Sequence, residues 1–480
     1  MNRTYFFGLD VGTQGVRGIL VDSFGEVVAQ SQKEFPLNVE MRQEQSPLMW
    51  WDKCVEVISN VLRSNNAIKP ESILGIAVTS TSGTVIPLDS ENRPIHNALM
   101  YSDKRASVIS AKVISIASNA LESEFIGFNE SSGLAKIVWF GQAFPEKAKK
   151  VRKWVHAADY ISGKLSGVWG LTDFTNALKS GYDVQRGYWP DFIEAGLGIS
   201  KEILPEVIPS GSVIGYVKSD VSSDTGLSSQ TKVVVGMTDG CASQIASGAL
   251  KPGDWNTTIG TTMVIKGVTE KRVTDSEGRV YSHRHPQGFW MPGGASNIGS
   301  DWVKVDFNEG LEKYEKESEK LIPTGLLSYP LMGKGERFPF LNKEAVGFKP
   351  MNINKNSLFS ANMEGVAYLE KYSFALMNKL SGEEIKAVFT AGGGSKNKVW
   401  VQIRSDVLNL PVIQMKYTSG AFGAAVLASS QTYYKNLIEA GSMLIQPSRT
   451  YYPNTQRVSA YADHYKEYVA LLVNKGYIKT

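Results

Sequence analysis

The chain has 480 residues, of which 42% are apolar and 20% charged, with a formal net charge of +4 and two cysteines. This length is too great for one hydrophobic core, so we expect two large domains. The positive charge is small and spread along the chain, so we expect no nucleic-acid partner. Cys54 and Cys241 are too few for a disulfide scaffold or a four-cysteine zinc site, which is typical of a reducing compartment.

The N-terminus and the hydropathy pattern predict a cytoplasmic protein. The opening stretch MNRTYFFGLD lacks the apolar core of a signal peptide and reaches an acid at Asp10. No run of about 18 apolar residues occurs, so we expect no membrane-spanning segment and no membrane partner.

Three short apolar runs open the chain and predict consecutive antiparallel strands. Residues 5–9 end at Asp10, residues 12–15 supply a glycine turn, residues 16–21 form the second run, and residues 26–30 begin the third. Apolar residues at helical spacing predict a helix over residues 47–63. Strands are expected over residues 73–79 and in TVIPLD, and a helix over residues 105–121.

A related arrangement recurs in the second half. Residues 232–237 form a β-branched run ending in TDG, and a small-residue helix is expected over residues 241–250. DWNTTIGTTMVIKG then places Gly260 and Thr261 at a turn between two strands. A strand, a Gly/Thr turn and a second strand thus occur near residue 10 and again near residue 260, which predicts a duplicated fold. We expect one domain over residues 1–247 and a second over residues 248–480.

The remaining elements are predicted from their own periodicities. A helix is expected over residues 360–380, and AVFTAGGGSKNKVWVQIRSDVLNLPV predicts a strand, a glycine turn, a helix and a strand. SGAFGAAVLASS predicts a small-residue helix, suited to close packing or to a nucleotide nearby. Residues 461–473 predict an amphipathic helix.

The turn after Asp10 has two interpretations. In a plain hairpin, Asp10 and Thr13 would make local turn hydrogen bonds. In a phosphate clamp, Gly12 and Gly15 would let backbone N–H groups approach phosphate oxygens, and Thr13 would add a hydroxyl. Arg17 would then supply a charge, and Asp10 a water-bridged contact to magnesium.

Four further stretches carry polar groups that could serve a ligand. Asp239 suits a helix N-cap and also a general base near a hydroxyl, and these two roles are compatible. GGGSKNKVW is either a loose connection or a backbone surface on which an adenine or ribose lies flat. VTSTSGTVIPLD and MYSDKRA are either ordinary turns or a polyol-binding set, with Asp103 the most specific candidate.

Taken in order, these motifs resemble the FGGY family of carbohydrate kinases. The resemblance rests on GLDVGTQGVRGILVD, MYSDKRA, LTDFTNA, GMTDGCASQIASGAL, TTIGTT, GERFPF, GGGSKNKVWVQIRSDVLNLPV and GAFGAAVLA, spread over nearly the whole chain. It implies an α/β fold of two actin-like (RNase H-like) ATPase domains with a central cleft. It also implies that MgATP binds mainly on the second domain and a sugar on the first.

The resemblance also implies roles for individual residues. Asp239 matches the general base, and Asp10 the acid near magnesium. ATP would be bound by the two phosphate turns and an adenosine-side motif: Gly12, Thr13, Arg17, Gly260, Thr261, Gly393, Gly394 and Asn397. Asp103 matches the acid of the family's WND sugar element, and Tyr101 stands at its Trp. The residues expected to bind the sugar are Ser82, Gly83, Tyr101, Asp103 and Asp239.

The sugar-binding motifs depart from those of single family branches. Xylulokinases usually carry Gln-Met-His-Gly, and glycerol kinases an Arg-Glu pair, where this chain has Ser-Thr-Ser-Gly at residues 80–83. That stretch looks more like the one of D-ribulose kinases. The resemblance implies an ATP- and Mg²⁺-dependent kinase acting on a terminal hydroxyl of a ketopentose such as D-xylulose or D-ribulose.

Other functions remain open from the sequence. Within the same family the substrate could be another polyol or sugar acid, such as glycerol, ribitol or gluconate. From a different class, an actin- or Hsp70-type ATPase would share the phosphate turns but need no sugar. We expect a small-molecule sugar or polyol as the partner, and a homodimer is left open.

Overall fold

The computed structural model describes residues 3–36, 40–65, 67–121, 128–307 and 309–479. The chain forms two compact units. Unit 1 comprises residues 1–246, 286–288 and 419–445, and unit 2 comprises residues 247–285, 289–418 and 446–480. In the described ranges, no helix is both long enough and apolar enough to cross a bilayer.

The strands lie, in chain order, at β1 Tyr5–Val11, β2 Gly15–Asp22, β3 Val27–Glu34, β4 Glu44–Gln45, β5 Ile73–Ser80, β6 Val85–Leu88, β7 Ala98–Leu99, β8 Lys153–His156, β9 Leu171–Asp173, β10 Glu206–Ile208, β11 Val213–Tyr216, β12 Lys232–Thr238, β13 Trp255–Ile259, β14 Met263–Gly267, β15 Tyr281–Arg284, β16 Trp290–Ser296, β17 Tyr329–Glu336, β18 Asn342–Phe348, β19 Val388–Ala391, β20 Val412–Met415 and β21 Pro447–Tyr451.

The α-helices are α1 Pro47–Arg63, α2 Ser107–Leu121, α3 Gly133–Ala143, α4 Pro145–Ala148, α5 Ala157–Ser166, α6 Phe174–Ala177, α7 Phe192–Ala195, α8 Ser219–Thr225, α9 Asp239–Ala246, α10 Asp301–Asp306, α11 Leu311–Leu321, α12 Lys355–Ser381, α13 Lys398–Leu408, α14 Gly420–Ser429, α15 Leu437–Leu444 and α16 Thr455–Asn474.

The main sheet of unit 1 has the order β11-β12-β5-β1-β2-β3. The predicted antiparallel meander is confirmed, since β1 pairs with β2 and β2 with β3, while β5 and β12 run parallel to β1. The predicted helix over residues 47–63 is also confirmed. It begins after Ser46, whose hydroxyl accepts from Met49 N at 3.3 Å, and it buries the predicted face, including Trp50 and Val57, against the sheet.

The main sheet of unit 2 repeats this connectivity. Its order is β15-β16-β14-β13-β19-β20-β21, in which β13, β14 and β16 form an antiparallel meander and β19 and β20 run parallel to β13. The predicted duplication is therefore present as topology. In each sheet, three adjacent antiparallel strands lie next to two strands that run parallel to the first of them. In unit 2, β15 precedes β16 in the chain and pairs with it at the edge of the sheet.

Residues 419–445, which the sequence assigned to the second domain, lie in unit 1. They contain α14, which packs against β1 and α9 at glycine contacts. A Cβ on Gly8 would stand 1.8 Å from the Ala421 carbonyl oxygen, and one on Gly423 would stand 1.9 Å from the Ala242 carbonyl oxygen. Only hydrogen fits at these positions, so backbone approaches backbone directly. Of the two predicted uses of this helix, the structure shows close packing.

Helix α12 buries two glutamates with different partners. Glu370 is paired with Arg404, with both carboxylate oxygens 2.7 Å from the guanidinium, and both side chains are fully buried. Glu364 faces no cation among the described residues. It accepts from the Thr324 backbone and hydroxyl and from Tyr461 Oη. Burial raises the pKa of Glu364 from 4.5 to about 7, although these hydrogen bonds oppose the shift.

The raised pKa of Glu364 predicts a pH-dependent stability. Because the folded protein holds this proton more tightly than the unfolded chain, the associated stability is present below about pH 4.5 and is lost as pH rises through about 7. The loss is roughly 3 kcal/mol. Glu364→Gln should therefore melt at or above the wild-type temperature at pH 8. Its melting temperature should also change less between pH 5.5 and pH 8 than that of the wild type.

Glu370→Gln is the matched control on the same helix. It leaves Arg404 buried without its charge partner, which costs about 3–5 kcal/mol, so it should lower the melting temperature at both pH values. A Glu364→Gln protein as unstable at pH 8 as Glu370→Gln would contradict the assignment of Glu364 as an uncompensated acid.

Candidate active site

The first predicted phosphate turn is a tight hairpin between β1 and β2. Gly12 N donates to Gly15 O at 3.0 Å, and the turn is held from outside by Gln45. Gln45 Nε2 donates to Thr13 O at 3.0 Å, and Trp50 Nε1 donates to Gln45 Oε1 at 2.8 Å. Helix α1 therefore fixes the turn through one buried amide. The sequence analysis did not single out Gln45, because this residue lies in none of the motifs.

A cavity of about 560 Å³ opens over this hairpin in unit 1. Its walls bring the predicted phosphate and magnesium residues together with Tyr101 of the predicted sugar element. They also include cationic residues that the sequence did not single out. The lining comprises Asp10, Gly12, Thr13, Gln14, Gly15, Val16, Arg17, Gln32, Lys33, Glu34, Arg42, Tyr101 and Ser102.

Asp10 is held in an environment that disfavours its charge. Burial is the largest cause and the charge of Asp239 the second, and together they raise its pKa from 3.8 to about 7 against the opposing effect of Arg17. Asp10 Oδ1 is buried and has no hydrogen-bond partner among the described residues. A cation would relieve both conditions, so the oxygen donors here fit Mg²⁺.

Protein side chains alone do not form a metal cage in the described residues, where no three His, Cys, Asp or Glu groups cluster as metal ligands. This fits magnesium, which commonly keeps several waters and binds through one or two carboxylates together with substrate phosphates.

Asp239 begins α9, at the point where β12 ends. Its Oδ1 accepts from the next backbone amide, Gly240 N, at 2.6 Å, which is a local bond at the start of the helix. The register of β12 against β5 shifts between Val234 and Met237, and a Cβ on Gly236 would stand 1.6 Å from Val78 O. A bulge of this kind changes the direction of the chain that follows it, and here that chain leads into Asp239. The bond from Gly240 N to Asp239 and a catalytic role of Asp239 are compatible.

The predicted sugar-side residues surround the turn before β6. Gly83 has φ +79°, and a Cβ there would stand 2.4 Å from Ser131 O, so only glycine fits. Its carbonyl accepts from Lys136 Nζ at 3.3 Å, and burial lowers the pKa of Lys136 to about 7. The Ser82 hydroxyl is buried without a hydrogen-bond partner in the described ranges.

Asp103 is buried and already engaged in an ion pair. Arg105 Nε lies 3.0 and 3.1 Å from its two carboxylate oxygens and Nη2 lies 2.7 Å from one of them, while Arg105 also donates to Glu44 at 2.6 Å. Tyr101, by contrast, is 40% exposed and lines the cavity. A sugar contact by Asp103 would have to use the lone pairs that Arg105 leaves.

In unit 2 the turn predicted to bind phosphate lies next to the motif predicted to bind adenosine. Gly260 N donates to Thr262 O at 2.9 Å, and Gly260 O accepts from the Ser300 backbone and hydroxyl at 2.8 and 2.7 Å. A Cβ on Gly394 would stand 2.8 Å from the Ile259 side chain, one residue before the turn. The structure therefore places Gly260 and Thr261 beside Gly393 and Gly394.

Asn397 is committed to a structural bond within unit 2. Its side chain caps α13 by accepting from Trp400 N at 2.9 Å, and its Nδ2 donates to Met363 Sδ at 3.6 Å. Gly393, in contrast, is exposed, and a Cβ there would meet nothing within 4 Å. The glycine backbone is thus the accessible part of this motif.

Two family models match successive parts of the chain. The model described as FGGY family of carbohydrate kinases, N-terminal domain, matches residues 5–246, and that of the C-terminal domain matches residues 255–432. The chain belongs to the FGGY family of carbohydrate kinases. It is accordingly a phosphotransferase of the sugar-kinase class, with the family's fold of two actin-like ATPase domains.

The relatives of this chain are named for more than one substrate. A xylulose kinase of Bacillus subtilis (strain 168) is 28% identical over 95% of this chain and 94% of the relative. A gluconokinase of Bacillus licheniformis is 23% identical over 98% and 95%. Among solved structures, a ligand-bound xylulose kinase from Lactobacillus acidophilus is 24% identical, with a TM-score of 0.85 over 98% of each chain. The family is therefore established and the sugar is not.

The glycine contact between α14 and α9 predicts a sharp difference between two helical glycines. Gly423→Ala forces a methyl group against the Ala242 backbone and should destabilise the kinase by at least about 2 kcal/mol. Gly141→Ala, at an exposed position of the largely buried helix α3 with no atom within 4 Å of the added Cβ, should stabilise it by about 0.5–1 kcal/mol. Thermal melts of both variants measure the contrast, and equal melting temperatures would refute the packing constraint.

Proposed function

We propose that this kinase transfers the γ-phosphate of ATP to a terminal hydroxyl of a ketopentose such as D-xylulose or D-ribulose. One observation supports the chemistry above the others. Asp10 is the last residue but one of β1 and Asp239 directly follows β12. These two strands flank β5 in the same parallel arrangement, and the charge of one acid acts on the other. Two carboxylates at one sheet edge can serve a cation and a reacting hydroxyl separately.

In the proposed reaction, Asp239 is the general base. Its carboxylate accepts the proton of the sugar hydroxyl, whose oxygen forms a bond to the γ-phosphorus while the bond to the β,γ-bridging oxygen breaks. Asp10 would hold Mg²⁺ through water, and the ion, when bound, neutralises charge on the phosphate oxygens. The raised proton affinity of Asp10 suits it to binding a cation.

Backbone donors would position the phosphates. Gly12 and Thr13 supply one turn, and Gly260 and Thr261 supply the other. Arg17 lines the same cavity as Asp10 and would balance its charge. Because such donors are fixed before the reaction, they stabilise the transferring group without reorganisation. Gly393 and Gly394 would support the adenosine, with ATP and sugar drawn from the cytoplasm.

A sugar acid is the second candidate substrate. Relatives named gluconokinase match nearly the whole chain. In addition, Arg17, Lys33 and Arg42 all line the cavity of unit 1, and such cations would suit a carboxylate. The buried Ser82 hydroxyl and the exposed Tyr101 would serve either substrate, so the cavity wall alone does not choose between them.

A sugar panel tests the substrate assignment. ADP release with D-xylulose, D-ribulose, L-ribulose, xylitol, ribitol, glycerol and gluconate should give the highest kcat/KM with one of the two D-ketopentoses. A highest value with gluconate would replace the ketopentose by the sugar acid. ATP hydrolysis that no member of the panel accelerates would contradict the sugar-kinase proposal as a whole.

The general-base role predicts that Asp239→Asn retains ATP binding and loses turnover by at least about 10²-fold, since no group remains to accept the proton. Steady-state kinetics with the best sugar, together with nucleotide titration, measure both effects. Asp220→Asn, at an exposed position of α8, is the matched control and should leave kcat unchanged. Near-wild-type turnover of Asp239→Asn would remove Asp239 from the mechanism.

A further inference from the structure

We propose that Thr175, held by the buried carboxylate of Asp173, is a positioning residue for Asp239. The inference rests on the proposed role of Asp239 as the base. Both residues lie in LTDFTNA, a motif that the family resemblance includes and that the mechanism above leaves without a task. Neither residue lines the cavity, and both are fully buried.

The hydroxyl of Thr175 has its proton and its lone pair assigned. Its Oγ1 donates to Asp173 Oδ1 at 2.5 Å, and its backbone N donates to the same oxygen at 2.7 Å. Because the hydroxyl hydrogen is directed at the carboxylate, an oxygen lone pair faces the other way. That lone pair accepts from Thr238 N at 2.9 Å.

Asp173 is itself fixed on both oxygens. Asn176 Nδ2 donates to Oδ2 at 2.5 Å, and Ser210 Oγ lies 3.3 Å from Oδ1 as a further donor. Asp173 also precedes α6 and caps it through the bond from Thr175 N. The carboxylate therefore acts as a rigid post that orients the Thr175 hydroxyl.

Thr238 is the residue before Asp239 and is buried at the end of β12. The chain at this point is held from two sides, because Thr79 Oγ1 donates to Met237 O at 2.8 Å while Thr175 accepts from Thr238 N. The bulge around Gly236 has already taken β12 out of register with β5. The Thr175 bond thus sets where the chain leaves the strand, and with it the direction of the Asp239 carboxylate.

Removing the acceptor should affect the reaction more than binding. A buried N–H without a partner moves the backbone toward another acceptor or stays unpaired, and displacements of about 1 Å near a reacting group can cost 10²-fold in rate. The other residues proposed to bind the nucleotide and the sugar lie on other elements. A change confined to kcat therefore distinguishes positioning from a general loss of structure.

The test compares two substitutions at one site. Thr175→Val keeps the shape and removes the hydroxyl, and Thr175→Ser keeps the hydroxyl. We expect the valine variant to lose about tenfold or more in kcat with both KM values within twofold of wild type. The serine variant should restore kcat to within about twofold.

Thr225→Val is the matched control. Thr225 Oγ1 also bridges a donor and an acceptor in the buried part of unit 1, donating to Val221 O at 2.6 Å and accepting from Leu227 N at 3.2 Å. The melting temperature of Thr225→Val should fall by about as much as that of Thr175→Val, while its kcat should remain that of the wild type. A Thr175→Val enzyme that loses no more kcat than Thr225→Val would overturn the inference.

Two further arms keep the outcome decisive. If Thr175→Val does not fold, Thr175→Cys retains a weak acceptor, and its kcat must fall below that of Thr175→Ser for the inference to stand. If Asp239→Asn is inactive while Thr175→Val is normal, positioning fails and the base assignment survives. If Asp239→Asn is active, the base assignment fails first.

Discussion

The close packing of α14 against β1 is the constraint on which the candidate active site of unit 1 depends. The Ala421 carbonyl occupies the space where a side chain at position 8 would stand, and the Ala242 carbonyl does the same at position 423. These contacts bring a segment from late in the chain onto the first strand and the first helix after Asp239. Without these contacts, α14 would not cover the end of the sheet at which Asp10 and Asp239 lie.

The same packing explains the environment of Asp10. A Cβ on Gly420, the first residue of α14, would stand 2.9 Å from Asp10 Oδ2, so the start of this helix lies next to the carboxylate. The helix start excludes water from one side of Asp10, which is part of the burial that raises its pKa. The packing of this small-residue helix therefore contributes to the burial of Asp10, and the charge of Asp239 adds to its effect.

Local periodicity was sufficient to predict the elements but not their partners. Helix α1 follows from apolar spacing alone, and both Gly/Thr turns follow from alternating runs with glycines between them. The return of residues 419–445 to unit 1 depends on backbone contacts hundreds of residues apart, which leave no local pattern. The bond from Gln45 to Thr13 and the pairing of Asp103 with Arg105 are likewise visible only as geometry.

A perturbed pKa does not by itself distinguish function from structure in this kinase. Burial raises the pKa of both Asp10 and Glu364 to about 7. Glu364, however, accepts from Thr324 twice and from Tyr461, so its oxygens are satisfied by the protein. Asp10 Oδ1 is buried and accepts no hydrogen bond within the described residues. Since buried acceptors in folded proteins are nearly always satisfied, the unmet lone pair of Oδ1, rather than the shifted pKa, separates Asp10 from Glu364 and supports the proposed ligand role of Asp10.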